Sequence, residues 1–221
     1  MARRAAGTVA RTVLTRARVV RAAVELIERE GVDGLSMRAV AAELGVAVMS
    51  LYNHVPNKTA LLEGVAEYVV AGMDLPDDPG EDWKLRARTL IRAFRKTARD
   101  NPRSMTVVLT HKIDTSIGLR PAERALAIAE SAGFDGETSV RIMRAMLAYA
   151  LGAQMREVGT TKMLDYLHRN PADTFAGLDP EQFPRVIALA PELARHDPET
   201  DFEFGLDLLI AALDALPRTS A

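Results

Sequence analysis

The apolar residues of this 221-residue chain recur at spacings of three and four almost throughout, and nowhere do they sustain the alternation of a half-buried strand. Such a pattern confines the chain to helices, because only a 3.6-residue repeat turns those positions to a common face. The expected fold class is therefore all-α. Apolar residues make up 48% of the chain, enough for a packed core in one large domain or two small ones. There is no cysteine, which excludes disulfides, thiolate zinc sites, iron–sulfur clusters and a cysteine nucleophile together.

Capping residues divide the helical pattern. Thr15 is placed to cap a helix whose stripe is Ala17, Val20, Val24 and Ile27, and Gly31 ends it. After a turn over Val32 to Leu35, Ser36 caps a short helix with Val40 and Leu44 that stops at Gly45. A second short helix is expected from about Val48 to Val55. Pro56 and Asn57 break it, and Asn57 can cap a longer helix with Leu61, Leu62, Val65, Tyr68 and Val69 inward. The run Asp74-Leu75-Pro76-Asp77-Asp78-Pro79-Gly80 then marks the domain boundary. The expected organisation is a basic flexible arm over 1–14, a helical head over 15–73, and a larger helical domain over 82–218.

In the larger domain, helices are expected over Trp83 to Asp100, with Leu85, Leu90, Ile91 and Phe94 available for burial, and over Ser104 to Lys112. Another should start with Pro121 at its first position and end near Ala132-Gly133. The longest should run from an Asp135 cap to Glu157, and a short one from Pro184 to Leu193. The last carries Phe202, Leu206, Leu209, Leu213 and Leu216 at spacings of four, three, four and three, a heptad-like seam that wants another helix from the same chain or a second copy.

Net charge is only −2, but it is unevenly distributed. Up to Lys58 there are nine basic residues (Arg3, Arg4, Arg11, Arg16, Arg18, Arg21, Arg29, Arg38, Lys58) against five acidic ones (Glu25, Glu28, Glu30, Asp33, Glu43). That net of +4 leaves −6 for the remainder, and a basic head on an acidic body suits a head that meets phosphate. The arginines of the arm either reach a neighbouring minor groove or are simply solvated. The positively charged start has no apolar run like a signal-peptide core, and no stretch is long enough to span a bilayer, so the expectation is a soluble, cytoplasmic protein with no membrane partner.

The informative stretch runs from Ser36 to Lys58 and parses as helix, glycine turn, helix. A helix-turn-helix needs a small residue at the close crossing, a glycine able to turn left-handed, and apolar residues pinning the second helix. Ala41, Gly45 and the set Val46, Leu51 and Val55 supply these. With Leu51 and Val55 inward, Val48, Met49, Tyr52 and Asn53 fall on the outer side, where a major groove would lie, flanked by Ser50 and His54. Lys58 begins the following helix, where its charge and free backbone N–H groups can meet a phosphate.

Over about Thr15 to Ala71, and most densely in LSMRAVAAELGV and SLYNHVPNKTALL, the sequence resembles the TetR/AcrR family of repressors. The resemblance implies that Arg38 contacts a base edge or phosphate, that Tyr52, His54 and Lys58 contact the backbone, and that Met37, Val48, Met49 and Ser50 face bases. Farther on, Trp83, Asn101-Pro102, Arg120-Pro121, Ala132-Gly133-Phe134 and Tyr149 with Gly152 look like the tetracycline-repressor type of C-terminal domain. That implies a homodimer, the long helix and the last helix pairing with their two-fold mates, a double-stranded DNA operator of two-fold symmetry, and a small-molecule effector. The small residues Ala145, Ala148 and Gly152 would permit close approach, in a partner or inside one chain.

Effector-contacting candidates by position and type are Trp83, Phe94, Met105, His111, Met143, Met146, Tyr149 and Gln154, a mostly apolar set with a few polar handles. Each, taken singly, suits an ordinary core better than a pocket. The spacing around His111 and on to Arg120 departs from that of the member that binds magnesium–tetracycline. His54, His111, His168 and His196 are scattered, with no pair at i,i+4, so neither metal nor cofactor is expected.

Two rival classes stand beside a ligand-responsive repressor. An enzyme would need more than Ser50 with His54, or Asp165 with His168, and no G-x-S-x-G, phosphate-binding loop or dinucleotide fingerprint is present; no enzymatic activity is expected. A helical protein-interaction module without sequence-specific DNA binding would suit the acidic body but not the basic head.

Overall fold

A computed structural model describes residues 13–76, 78–111, 116–157, 177–193, 195 and 197–218. The arm arginines Arg3, Arg4 and Arg11, and Asp165, His168 and His196, lie outside the described residues. All regular structure among the described residues is helical. The chain forms two compact units, dividing at Gly72/Met73, Asp100/Asn101 and Gly118/Leu119.

The first unit contains α1 (Arg16–Glu30), a single 3-10 turn (Val32–Gly34), α2 (Met37–Leu44), α3 (Val48–Tyr52) and α4 (Lys58–Ala71). Later in the chain than α5 (Trp83–Asp100) of the second unit, α6 (Ser104–Thr110) also joins the first. The caps read from the sequence are the ones formed. Thr15 accepts from the Arg18 N–H at 3.3 Å, Ser36 from Ala39 at 3.0 Å, and Asn57 from Ala60 at 2.8 Å. Val19, Ile27, Leu35, Val40, Leu51, Val55, Leu61 and Val65 close one core, each at most 1% exposed.

The α6 segment is held to α1 at the helix ends. The Glu28 carboxylate accepts from the backbone N–H groups of Arg103 (3.2 Å) and Ser104 (2.7 Å), capping α6, while Arg103 donates to the Arg29 carbonyl at 2.6 Å. Sequence spacing gave no sign of this, because the partners are more than 70 residues apart.

The second unit is built on α5, on α8 (Gly136–Glu157) and on the last helix, α11 (Pro198–Asp214). Between them in sequence come α7 (Ser116–Ser131), whose first three residues belong to the first unit, and the short α9 (Pro184–Ala188) and α10 (Ala190–Leu193). Its core is Ile91, Met146, Ala150, Phe202, Leu206 and Ile210. A ladder of ion pairs runs beside that core: Lys84–Asp214, Arg88–Asp207, Arg92–Glu203 and Arg95–Glu199, at 2.6 to 2.9 Å. Asp135 caps α8 as expected, accepting from the Thr138 N–H at 2.9 Å and its hydroxyl at 2.8 Å.

Four expectations are corrected. Helix α3 ends at Tyr52 rather than Val55, since Pro56 pushes its predecessor out of the helical region and the Val55 N–H closes only one turn, onto Leu51 at 2.8 Å. Pro121 lies inside α7 instead of opening it, early enough that it removes one ladder bond near the helix start. The segment Pro184 to Leu193 splits at Leu189 into α9 and α10. The terminal seam is displaced: Phe202, Leu206 and Ile210 face the core at spacings of four, while Leu209 and Leu213 are half-buried and Leu216 is exposed. An isolated stripe cannot show which of two overlapping apolar rows meets the interior.

Candidate nucleic-acid interface

Gly45 sets the angle between α2 and α3. Its φ of 65° lies in the left-handed region, and its N–H and that of Val46 close the turn onto Ala42 and Ala41. No atom stands within 4 Å of where a Cβ would be, so the glycine is required by its backbone conformation and not by space. Beyond the turn, fully buried Leu51 and nearly buried Val55 pin α3.

That anchoring decides what α3 presents. Met49 is 74% exposed and Tyr52 43%. Asn53 is exposed, and Val48, Ser50 and His54 are half-buried at the flanks. Arg38, on the first turn of α2, and Lys58, on the first turn of α4, are both exposed. Met37 stands apart from the others: it is buried and packs in the head core, because the first turn of α2 directs it toward the side that Val40 and Ala41 occupy. Its predicted place facing bases is not where the side chain lies.

Charge within the head is sorted by pairing. Arg29 is held by Glu43 at 2.8 Å and Glu30 at 3.1 Å, and Arg16 by Glu67 at 2.9 Å. The hydrogen bond from Arg29 holds the Glu43 carboxyl below the usual carboxylate range, and Glu43 in turn raises Arg29. Arg21, Arg38 and Lys58, by contrast, form no ion pair with any described residue. The uncompensated charge of the described head therefore includes the two cations that open α2 and α4. Counting charges in the sequence could not separate paired from unpaired arginines.

The effector candidates are scattered. Met105 and His111 fall in the first unit, Met105 at 1% exposure and His111 with its ring nitrogen 3.1 Å from the Thr110 hydroxyl. Trp83, Phe94, Met146 and Tyr149 pack in or against the core of α5, α8 and α11, where the apolar stripes of three helices converge. Met143 is half-buried. Gln154 alone keeps an unused polar atom: it is buried and donates to the Ala98 carbonyl at 3.0 Å, but its own Oε1 has no partner among the described residues. A groove of about 570 Å³ in the second unit is lined instead by Asp135, Thr138, Arg141, Ile142, Ala145, Leu213, Leu216, Pro217 and Arg218. Among the described residues no group of three or more acidic or histidine side chains could hold a metal ion, and no helix is long and apolar enough to cross a membrane.

Known families match both halves of this arrangement. Residues 19–65 match the bacterial regulatory proteins of the tetR family, and residues 75–216 match the tetracyclin repressor-like C-terminal domain. The chain belongs to the TetR family.

This regulator is 30% identical over 174 residues to the HTH-type transcriptional repressor DrrR1 of Streptomyces coeruleorubidus, covering 78% of the chain and 61% of that relative's length. It is 26% identical over 218 residues to the class C tetracycline repressor protein of Escherichia coli, with 94% of each covered. Among solved structures it is similar to apo ActR from Streptomyces coelicolor, at a TM-score of 0.77 and 26% identity over 91% of this chain and 95% of that one. ActR has also been solved in complex with actinorhodin, and that structure matches at the same TM-score with 25% identity, over 91% and 97% of the two chains. The TetR-family assignment makes this chain a transcriptional regulator with a helix-turn-helix head, in preference to a protein-interaction module.

Proposed function

We propose that this regulator binds a two-fold-symmetric duplex operator as a homodimer through a DNA-binding domain spanning 15–73, and that a small, largely apolar effector held in the domain spanning 82–218 releases it. The carrying observation is that exposed contact groups and unpaired charge coincide. Arg38, Tyr52 and Lys58 are exposed beside a helix whose only fully buried side chain is Leu51, while Arg16 and Arg29 of the head are neutralised by carboxylates. Tyr52, His54 and Lys58 meet phosphates, and Arg38, Val48, Met49, Ser50 and Asn53 meet base edges.

Support for the dimer comes from apolar side chains that stand exposed among the described residues. On α11, Phe204 (66% exposed) and Leu208 (56%) continue to exposed Ala211 and Ala215 at spacings of four, three and four. On α8, Ala145, Ala148 and Gly152 are exposed at spacings of three and four. Two such rows suit a helical interface with a second copy. For the sensor, the ActR complex with actinorhodin supports a small-molecule effector, and the buried, unpartnered Gln154 carbonyl offers one hydrogen-bond acceptor.

The test is selection of a duplex from a random pool, followed by affinity against salt concentration. The expected log–log slope is steeply negative and becomes shallower by about 1 in Lys58→Ala. Failure to retain any sequence above non-specific DNA would overturn the proposal.

A further inference from the structure

The segment presented to the groove, residues 47–54, contains no lysine, arginine, glutamine or carboxylate. The side chains that grip guanine with two parallel bonds, or accept from cytosine, are therefore missing from its centre. What stands there instead is a thioether. Met49 precedes the fully buried Leu51 by two residues, or about 200° of helix rotation, so it points almost directly away from the core that fixes α3. Among the large apolar side chains described, only Val13, at the margin of the described residues, is more exposed. A side chain held so far into water contributes little to the head's stability, and packing among the described residues does not account for its placement.

The major-groove edge of the bases carries one apolar group, the C5-methyl of thymine. Building on the DNA-binding reading above, we propose that Met49 is a specificity-determining residue that recognises a thymine methyl in each half-site. Val48, half-buried one residue earlier, extends the apolar surface. Recognition at that base pair then depends on methyl contact and exclusion of water rather than on a hydrogen bond, while Arg38 supplies polar readout from the start of α2. A flexible, polarizable side chain suits this role because it can follow the methyl without demanding one geometry.

The probe is the duplex selected by the wild-type protein from the random pool, with each thymine replaced in turn, in both half-sites, by deoxyuridine. That replacement removes the methyl and leaves every hydrogen-bonding atom in place. At one thymine position per half-site, wild-type affinity should fall about fourfold for each methyl removed, roughly fifteenfold for the symmetric pair. Met49→Ala and Met49→Gln should bind the thymine duplex more weakly and be indifferent to uracil at that position. Both should melt at the wild-type temperature, since the side chain is 74% exposed. If every uracil replacement is neutral, or if Met49→Ala keeps the wild-type sensitivity to uracil, the inference is overturned. Should no duplex be selected at all, the DNA-binding reading itself fails, and this inference with it.

Discussion

Replacing Gly205 by alanine should destabilise the protein, although the same change in most helices does the reverse. Gly205 lies inside α11, where alanine is ordinarily favoured by about 1 kcal/mol. Here a Cβ would stand 2.5 Å from the Tyr149 hydroxyl oxygen, 2.8 Å from Cε2 and 2.9 Å from Cζ. The tyrosine is not free to withdraw. Its ring stacks on Phe202 with centroids 5.4 Å apart at 27°, and its hydroxyl donates to the Phe202 carbonyl at 2.5 Å. Burial pushes the phenol above its ordinary pKa, so it remains a donor at neutral pH. Forcing the ring aside costs about 1–3 kcal/mol of packing strain. Loss of the hydrogen bond and of the stack would each add about 0.5–1.5 kcal/mol, though relaxation that relieves strain sacrifices contact, so these do not sum fully. Set against the helix gain, the net loss should be about 1–3 kcal/mol. Urea unfolding at one fixed protein concentration measures it. The sign should reverse in a Tyr149→Ala background, where the three atoms nearest the new methyl are gone and the substitution should stabilise by about 1 kcal/mol. A Gly205→Ala protein more stable than wild type, or an equal loss in both backgrounds, would refute the steric account.

Other outcomes follow from the same geometry. Tyr52→Ala and Lys58→Ala should weaken DNA binding about equally across sequences, whereas Arg38→Ala should cost about 1–3 kcal/mol on the selected duplex and relax base preference, as competition among operator variants would show. Phe204→Lys with Leu208→Lys should yield a folded monomer by sedimentation, while charges at Leu209 and Leu213, which pack against the core, should unfold the chain; a double variant at 204 and 208 that stays dimeric removes the proposed interface. The hydrogen bond from Arg92 depresses the Glu203 carboxyl below its ordinary 4.5, so its stabilisation is present above that pH and lost as pH falls through the lower folded value. The stability gap between wild type and Glu203→Gln should accordingly be constant near neutrality and close below about pH 4.5, by denaturant titration at each pH.

Local chemistry made much of the head legible in the sequence. Thr15, Ser36, Asn57 and Asp135 cap helices because a short acceptor side chain satisfies N–H groups within three residues of itself, and Gly45 turns left-handed because it lacks a Cβ. The outward set on α3 follows from helical rotation once Leu51 is known to be buried, so Met49 and Tyr52 were placed without any long-range contact. Met37 precedes Val40 and Ala41 by three and four residues, so helical periodicity itself turns it inward; the expectation that it faces bases rests on the family resemblance, and packing in the head core overrules it.

The helical class, the punctuation between helices and the surface that α3 turns outward are all legible in the residues alone, since each depends on residues within one or two turns of one another. Packing between distant segments settles which of two apolar rows on α11 is buried, which arginines are neutralised, that α6 joins the head through Glu28, and that Tyr149 demands a glycine at 205. Apart from Glu30 beside Arg29, the deciding partners lie a dozen or more residues away along the chain, and a stripe, a charge or a glycine is the same in sequence whether or not another helix meets it.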